Sequence, residues 1–135
     1  MKRWEKILAW CLFALLCGAA CLAVVIYDHV HQTVPDCDAQ WATAELIIAY
    51  RKDRGTMPAG WSHLQPYFKD AARHLGGQSF EQIQRRIHVD FSALPQLELG
   101  HGDGRMPEVI TCASGIGAHW SGAEPNELVN EEFRK

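Results

Sequence analysis

Residues 7–27 (ILAWCLFALLCGAACLAVVIY) run for 21 positions without a charged side chain. A helix rises about 1.5 Å per residue and the hydrocarbon core of a bilayer is roughly 30 Å thick, so this stretch is long enough to cross one. Whole-chain averages conceal it: 47% hydrophobic residues and a formal charge of −3 over 135 residues describe an ordinary soluble domain. Once the apolar run and the six residues before it are set aside, 108 residues remain. That is enough for one small domain with its own core and too few for two. No repeat or biased tract points to a collagen-like, low-complexity or long coiled-coil chain.

The charges flanking the run set an orientation. Lys2, Arg3 and Lys6 precede it against Glu5, Asp28 follows it, and no Lys or Arg appears again until Arg51. By the positive-inside rule, residues 1–6 form a cytoplasmic tip, 7–27 a transmembrane signal anchor and 28–135 an exported part. The expected location is the plasma (inner) membrane, single-pass, with the lipid bilayer as the partner of residues 7–27. Trp4 and Trp10 near one end and Tyr27 at the other suit the two headgroup levels. A cleavable signal peptide would use the same basic residues and the small residues Gly18, Ala19 and Ala20, and an acylated Cys21 is a lipoprotein variant of it. The chain stays apolar for six more residues, Leu22 to Tyr27, which favours an uncleaved anchor. Cys11, Cys17 and Cys21 lie within the span and act as small hydrophobes. Ala14 and Gly18 have small-xxx-small spacing, a frequent chance pattern in such spans.

Only Cys37 and Cys112 remain outside the span. In an oxidising compartment they form a possible disulfide closing a loop of about 75 residues. Their spacing alone does not show that they approach.

Residues 28–38 read as a juxtamembrane linker and 39–125 as a small α+β domain. Pro35 is expected to end helical continuation from the anchor, with Asp36 or Asp38 capping a new helix over 39–53. Apolar residues surround that helix instead of forming one stripe, which predicts a buried centrepiece, and Gly55 supplies its C-terminal cap. Trp61, Leu64, Phe68, Ala71 and Leu75 share a helical face that Pro66 interrupts and Gly76-Gly77 ends. Ser79-Phe80-Glu81-Gln82 is a capping box opening a helix with Phe80, Ile83 and Ile87 inward and a Glu81–Arg85 pair outward. The period then changes to two: Ile87, Val89 and Phe91 predict one strand, Leu97 and Leu99 a second, and Glu108 to Cys112 a third. The Gly-rich residues 100–104 connect the last two. The fold class is therefore α+β, an N-terminal transmembrane helix followed by about three helices packed on a short antiparallel sheet, with 126–135 a loosely held helix or tail.

No motif assigns catalysis, a cofactor or a metal. His29 and His31 beside Asp28, and His101, Asp103, Cys112 and His119, have no recognised ligand spacing and read as interfacial and loop residues. Ser114 and His119 lie in a Gly-rich stretch, yet Cys112 stands where a G-x-S-x-G elbow needs its first Gly, and Trp120 replaces the third Gly of a dinucleotide fingerprint. Asp90 with Asp103, or Glu131 with Glu132, has no fixed separation for acid–base work. Trp120 reads as a core residue. Arg85-Arg86 is too short for a nucleic-acid patch, and residues 28–135 carry ten basic and fifteen acidic side chains, a sign that disfavours polyanions.

An apolar N-terminal helix, a second helix and antiparallel strands, with Glu5 just before the apolar run, resemble the layout of type IV pilin-like proteins, including the pseudopilins of type II secretion. The resemblance implies a subunit of a secretion or surface assembly. The chain departs from that pattern where no Gly precedes a Phe or Met at a peptidase site, where Lys6 follows Glu5, and at Pro35. The expected role is an exported interaction or structural module with a protein partner. A pilin-like subunit and a small exported enzyme or metal binder are the alternatives.

Overall fold

The computed structural model describes residues 3–71, 77–98, 107–115 and 123–134. The chain divides into two compact units, Met1–Val34 and Pro35–Lys135.

The first unit is one long helix, α1 (Arg3–Asp28), of 26 residues with none buried. By length and composition it is sufficient to cross a membrane. Tyr27 and His31 pack ring against ring at its end, 4.3 Å between centroids. The backbone then widens into a π-helical turn, His29–Thr33, closed by the Val34 N–H donating to the His29 carbonyl. Pro35 does not end the helical conformation as expected: Val34 keeps helical dihedrals of −63° and −49°, and the next helix starts at Val34 itself. The widened turn explains this locally. Proline's missing N–H and its ring conflict with an α-helical carbonyl four residues back, and an early helical position preceded by π geometry relieves both.

The second unit is built around α2 (Val34–Arg54), which buries Ala39, Ala42, Thr43, Ala44, Leu46 and Ile47. These positions cover most of the helix girth, so neighbours pack on more than one side of it, as its all-round apolar pattern predicts. Because α2 begins before Asp36 and Asp38, neither is its cap; Asp36 lies in the first turn, buried. Gly55 closes the helix in the left-handed region (φ 66°). Its N–H donates to the Arg51 carbonyl at 2.8 Å, and the Arg51 guanidinium reaches back to the Gly55 carbonyl at 2.6 Å.

The Trp61 to Ala71 segment breaks at Pro66 as its sequence predicts: α3 (Trp61–Leu64), a 3₁₀ turn (Gln65–Tyr67), then α4 (Phe68–Ala71). Leu64 is fully buried, while Trp61 and Phe68 meet the core edge-on through Phe80, 5.8 and 5.5 Å between ring centroids. Leu75 and Gly76 lie outside the described residues. Helix α5 (Phe80–Arg86) opens with the expected capping box. Ser79 Oγ accepts from the Gln82 N–H at 3.3 Å and Gln82 Oε1 from the Ser79 N–H at 2.7 Å. On its outer face Arg85 donates to the Glu81 backbone carbonyl.

Two strands, β1 (Ile87–Val89) and β2 (Ile110–Cys112), pair antiparallel with Ile87 opposite Cys112 and Val89 opposite Ile110. Bonds from Asp90 N–H to the Val109 carbonyl and from Ala113 N–H to the Arg86 carbonyl extend the ladder at each end. Phe91 is not a strand residue. It lies within a turn in which the Asp90 carboxylate accepts from the Ser92 and Ala93 N–H groups and the Ser92 hydroxyl, and its ring packs against Trp61. The expected strand at Leu97 is instead α6 (Leu94–Glu98), where Leu94 and Leu97 are both buried. Two leucines two residues apart do not distinguish a strand from a short helix, and Pro95 in the first turn decides for the helix. Leu99 and the Gly-rich residues 100–104 lie outside the described residues.

Of the two expected forms, the C-terminal segment takes the helix, and it is packed into the core instead of loosely held. Helix α7 (Pro125–Phe133) buries Asn126, Val129, Asn130 and Phe133, and Arg51 of α2 lies over the Phe133 ring, 5.7 Å from its centroid. The described fold is thus mostly helical, with a two-stranded antiparallel sheet and more helical segments than the three expected.

Asn126 joins α7 to β2. Its Oδ1 accepts from the Val109 and Ile110 N–H groups at 3.0 and 2.9 Å, and its Nδ2 donates to the Ile110 carbonyl at 3.0 Å. Asn126→Ala strands two buried donors, and the expected loss is about 2–4 kcal/mol of unfolding free energy, read from urea titrations of both proteins. At the Asp90 turn, the Ser92 hydroxyl and then the Ala93 and Ser92 N–H groups hold the carboxyl below its ordinary 3.8. Its folded value is the lower one, so its contribution is complete above pH 3.8 and fades as pH falls through the folded value. Asp90→Asn, which keeps the acceptor oxygen, is expected to flatten the acid limb of a plot of Tm against pH.

Candidate functional site

Among the described residues, a connected polar group lies where the first turn of α2 meets the end of β2. Asp36, 5% exposed, accepts from Arg86 Nη1 at 2.6 Å and from Ser114 Oγ at 2.8 Å. One turn further along α2, Gln40 Nε2 donates to the Ile110 carbonyl at 3.0 Å, and the Cys112 sulfur lies 3.9 Å from Gln40 Oε1. The Arg86 guanidinium is partly exposed and carries the Asp36 charge outward, so the carboxylate is paired and hydrogen-bonded despite its burial.

Both thiols outside the apolar helix, Cys37 and Cys112, belong to this region and are half-buried and free. Burial, followed by the negative charges of Asp38 and Asp36, pushes the Cys37 thiol up. Burial, then Asp36 and then Cys37, does the same to Cys112. Raised thiols carry less thiolate, the opposite of an activated cysteine nucleophile. Ser114 donates its proton to a carboxylate that already holds Arg86, so it is a structural hydrogen-bond donor here.

The remaining residues singled out from the sequence are scattered. His29 and His31 are exposed in the π turn. Glu131 is exposed, and Glu132 pairs with Lys52 at 3.7 Å. His101, Asp103, His119 and Trp120 lie outside the described residues. Among the described residues no three His, Cys, Asp or Glu side chains converge on a metal-sized space.

A feature missed from the sequence is an open recess on the outer side of α2, lined by Tyr50, Arg54, His63, Pro66 and Tyr67. The His63 ring stacks on Tyr50, 5.5 Å between centroids, and Tyr67 meets Tyr50 edge-on at 5.8 Å. The Ala59 N–H donates to His63 Nδ1 at 3.2 Å, which leaves Nε2 to carry the proton of the neutral ring. The Tyr67 hydroxyl donates to Asp53 and accepts from Arg54. With a volume of about 260 Å³, the recess falls below the roughly 300–1,000 Å³ of ordinary small-molecule pockets. Spacing gave one usable signal for it, Tyr50 and Arg54 four apart near the end of α2; the contribution of His63 and Tyr67 is tertiary.

Comparison with known protein families, with curated proteins and with solved structures found no match to this chain.

Asp36→Ala leaves Arg86 without its carboxylate, and the expected cost is about 2–4 kcal/mol. In a double-mutant cycle with Arg86→Met, measured by urea unfolding, a coupling of about 1–2 kcal/mol is expected, since the two groups touch.

Proposed function

We propose that this is a single-pass membrane-anchored protein whose N-terminal tip is cytoplasmic and whose unit from Pro35 onward works outside the cytoplasm, at the plasma (inner) membrane, as a non-enzymatic interaction or structural module. One observation carries the reading: α1 buries none of its 26 residues. Trp4, Leu8, Trp10 and Leu15 are 82, 71, 72 and 73% exposed. A face of that size against water would drive aggregation, whereas hydrocarbon is its natural solvent, and the helix satisfies its own backbone hydrogen bonds there. Orientation is supported by Lys2, Arg3 and Lys6 on one side and the absence of Lys and Arg from 7 to 50 on the other.

The second unit has a core of its own, built from α2, Leu64, Ile83, the two strands and α7, so it can present a fixed surface to a protein partner. Its polar cluster is fully engaged in joining elements, its two thiols are raised, and its recess is too small for an ordinary substrate pocket. These features support presentation and binding over chemistry.

The test is side-specific labelling. In chains whose five native cysteines are replaced, Lys69→Cys, on the exposed face of α4, is expected to react with a membrane-impermeant maleimide in intact cells. Lys2→Cys is expected to react only after permeabilisation. The reverse pattern would place the second unit in the cytoplasm, and release of the chain by alkaline extraction would remove the span altogether.

A further inference from the structure

The cluster at the first turn of α2 aligns two strips of chain in opposite directions. Asp36 is bonded to Ser114 and Gln40 to Ile110, so residues 36 and 40 of the helix face residues 114 and 110 of the strand and its following turn. On the helix Cys37 directly follows Asp36, and on the strand side Cys112 lies between Ile110 and Ser114. The Cys112 sulfur already lies 3.9 Å from Gln40, one turn from Cys37. Both side chains are half-buried, so neither is sealed from reagents. The chain has five cysteines and the other three lie in the apolar run, so only one pairing exists within the second unit.

We propose that Cys37 and Cys112 are a redox-closable pair, whose oxidation covalently joins the first turn of α2 to the end of β2. The step is thiol–disulfide exchange. One thiolate attacks the disulfide of an oxidant, either a thiol–disulfide oxidoreductase of the exporting compartment or oxidised glutathione in vitro, and forms a mixed disulfide. The second thiolate displaces the carrier. One S–S bond forms within the chain, the oxidant's S–S bond is reduced to two thiols, and the two protons lost by the cysteines end on those thiols. The bridge encloses α3 to α6 and both strands in one covalent loop of about 75 residues. It relies on the export reading only for its oxidant, since the approach of helix and strand is a property of the fold.

The experiment uses the full chain in detergent micelles with Cys11, Cys17 and Cys21 replaced by Ala. The protein is equilibrated across reduced-to-oxidised glutathione mixtures, trapped with an alkylating agent and mapped by peptide mass. The expected result is simultaneous loss of both alkylatable thiols in a monomeric species, one cross-linked peptide containing Cys37 and Cys112, and a Tm at least about 10 °C higher when oxidised. Cys37→Ser and Cys112→Ser are each expected to abolish that redox-dependent shift. Two freely alkylated thiols under fully oxidising conditions, or intermolecular dimers as the sole oxidised product, would overturn the pairing. A parallel trap on intact cells separates the two readings: a bridge that closes in micelles while both thiols stay reduced in cells refutes export and leaves the pairing standing.

Discussion

Ile110 is the joint on which the second unit depends. Its carbonyl accepts from both Gln40 of α2 and Asn126 of α7, and its N–H is bound by Asn126, while its side chain is fully buried. Two strands of three residues do not make a stable sheet by themselves. Here their outer edge is occupied by two side-chain amides, each acting as a short substitute for a missing strand. This arrangement also covers the β2 edge at Ile110, which a two-stranded ribbon would otherwise leave open to other chains. Apolar burial supplies the driving force of the core, and the amides determine which strand lies against which helix.

Legibility in the sequence followed the range of the interaction. Local devices were readable: the Ser79 capping box, the Gly55 cap, the break at Pro66, and the all-round apolar pattern of residues 39–53. Each is decided by groups within about four residues of one another. Errors arose where a short pattern fitted two structures or where a neighbour distant in sequence took over. Leu97 and Leu99 alternate like a strand, yet Leu97 follows Pro95 into a one-turn helix whose leucines face the core. The segment after Asn126 looks polar and weakly amphipathic, and gains its place through Asn126 and Phe133, whose partners are 16 and 82 residues away.

The polar cluster could not have been read from the sequence. Asp36, Arg86 and Ser114 are separated by 50 and 78 residues, and nothing in local spacing marks any of them. Asp36 even carries a misleading local signal, because an aspartate after a proline resembles a helix cap. The two cysteines are a middle case: counting singled them out, and only the ties from Asp36 and Gln40 show that the helix and the strand that carry them are neighbours.

The placement of α7 has a consequence for how the chain is made. The most central helix, α2, is produced early, yet its partners include Ile110 and Phe133, so its packing is not complete until almost the whole unit has been delivered. Long-range closure of this kind comes late in folding. Under the export proposed above, the chain would cross the membrane extended, and its fold would be complete only once residue 133 had emerged. Under that proposal, the late arrival of α7 would leave the core incomplete until passage was nearly over.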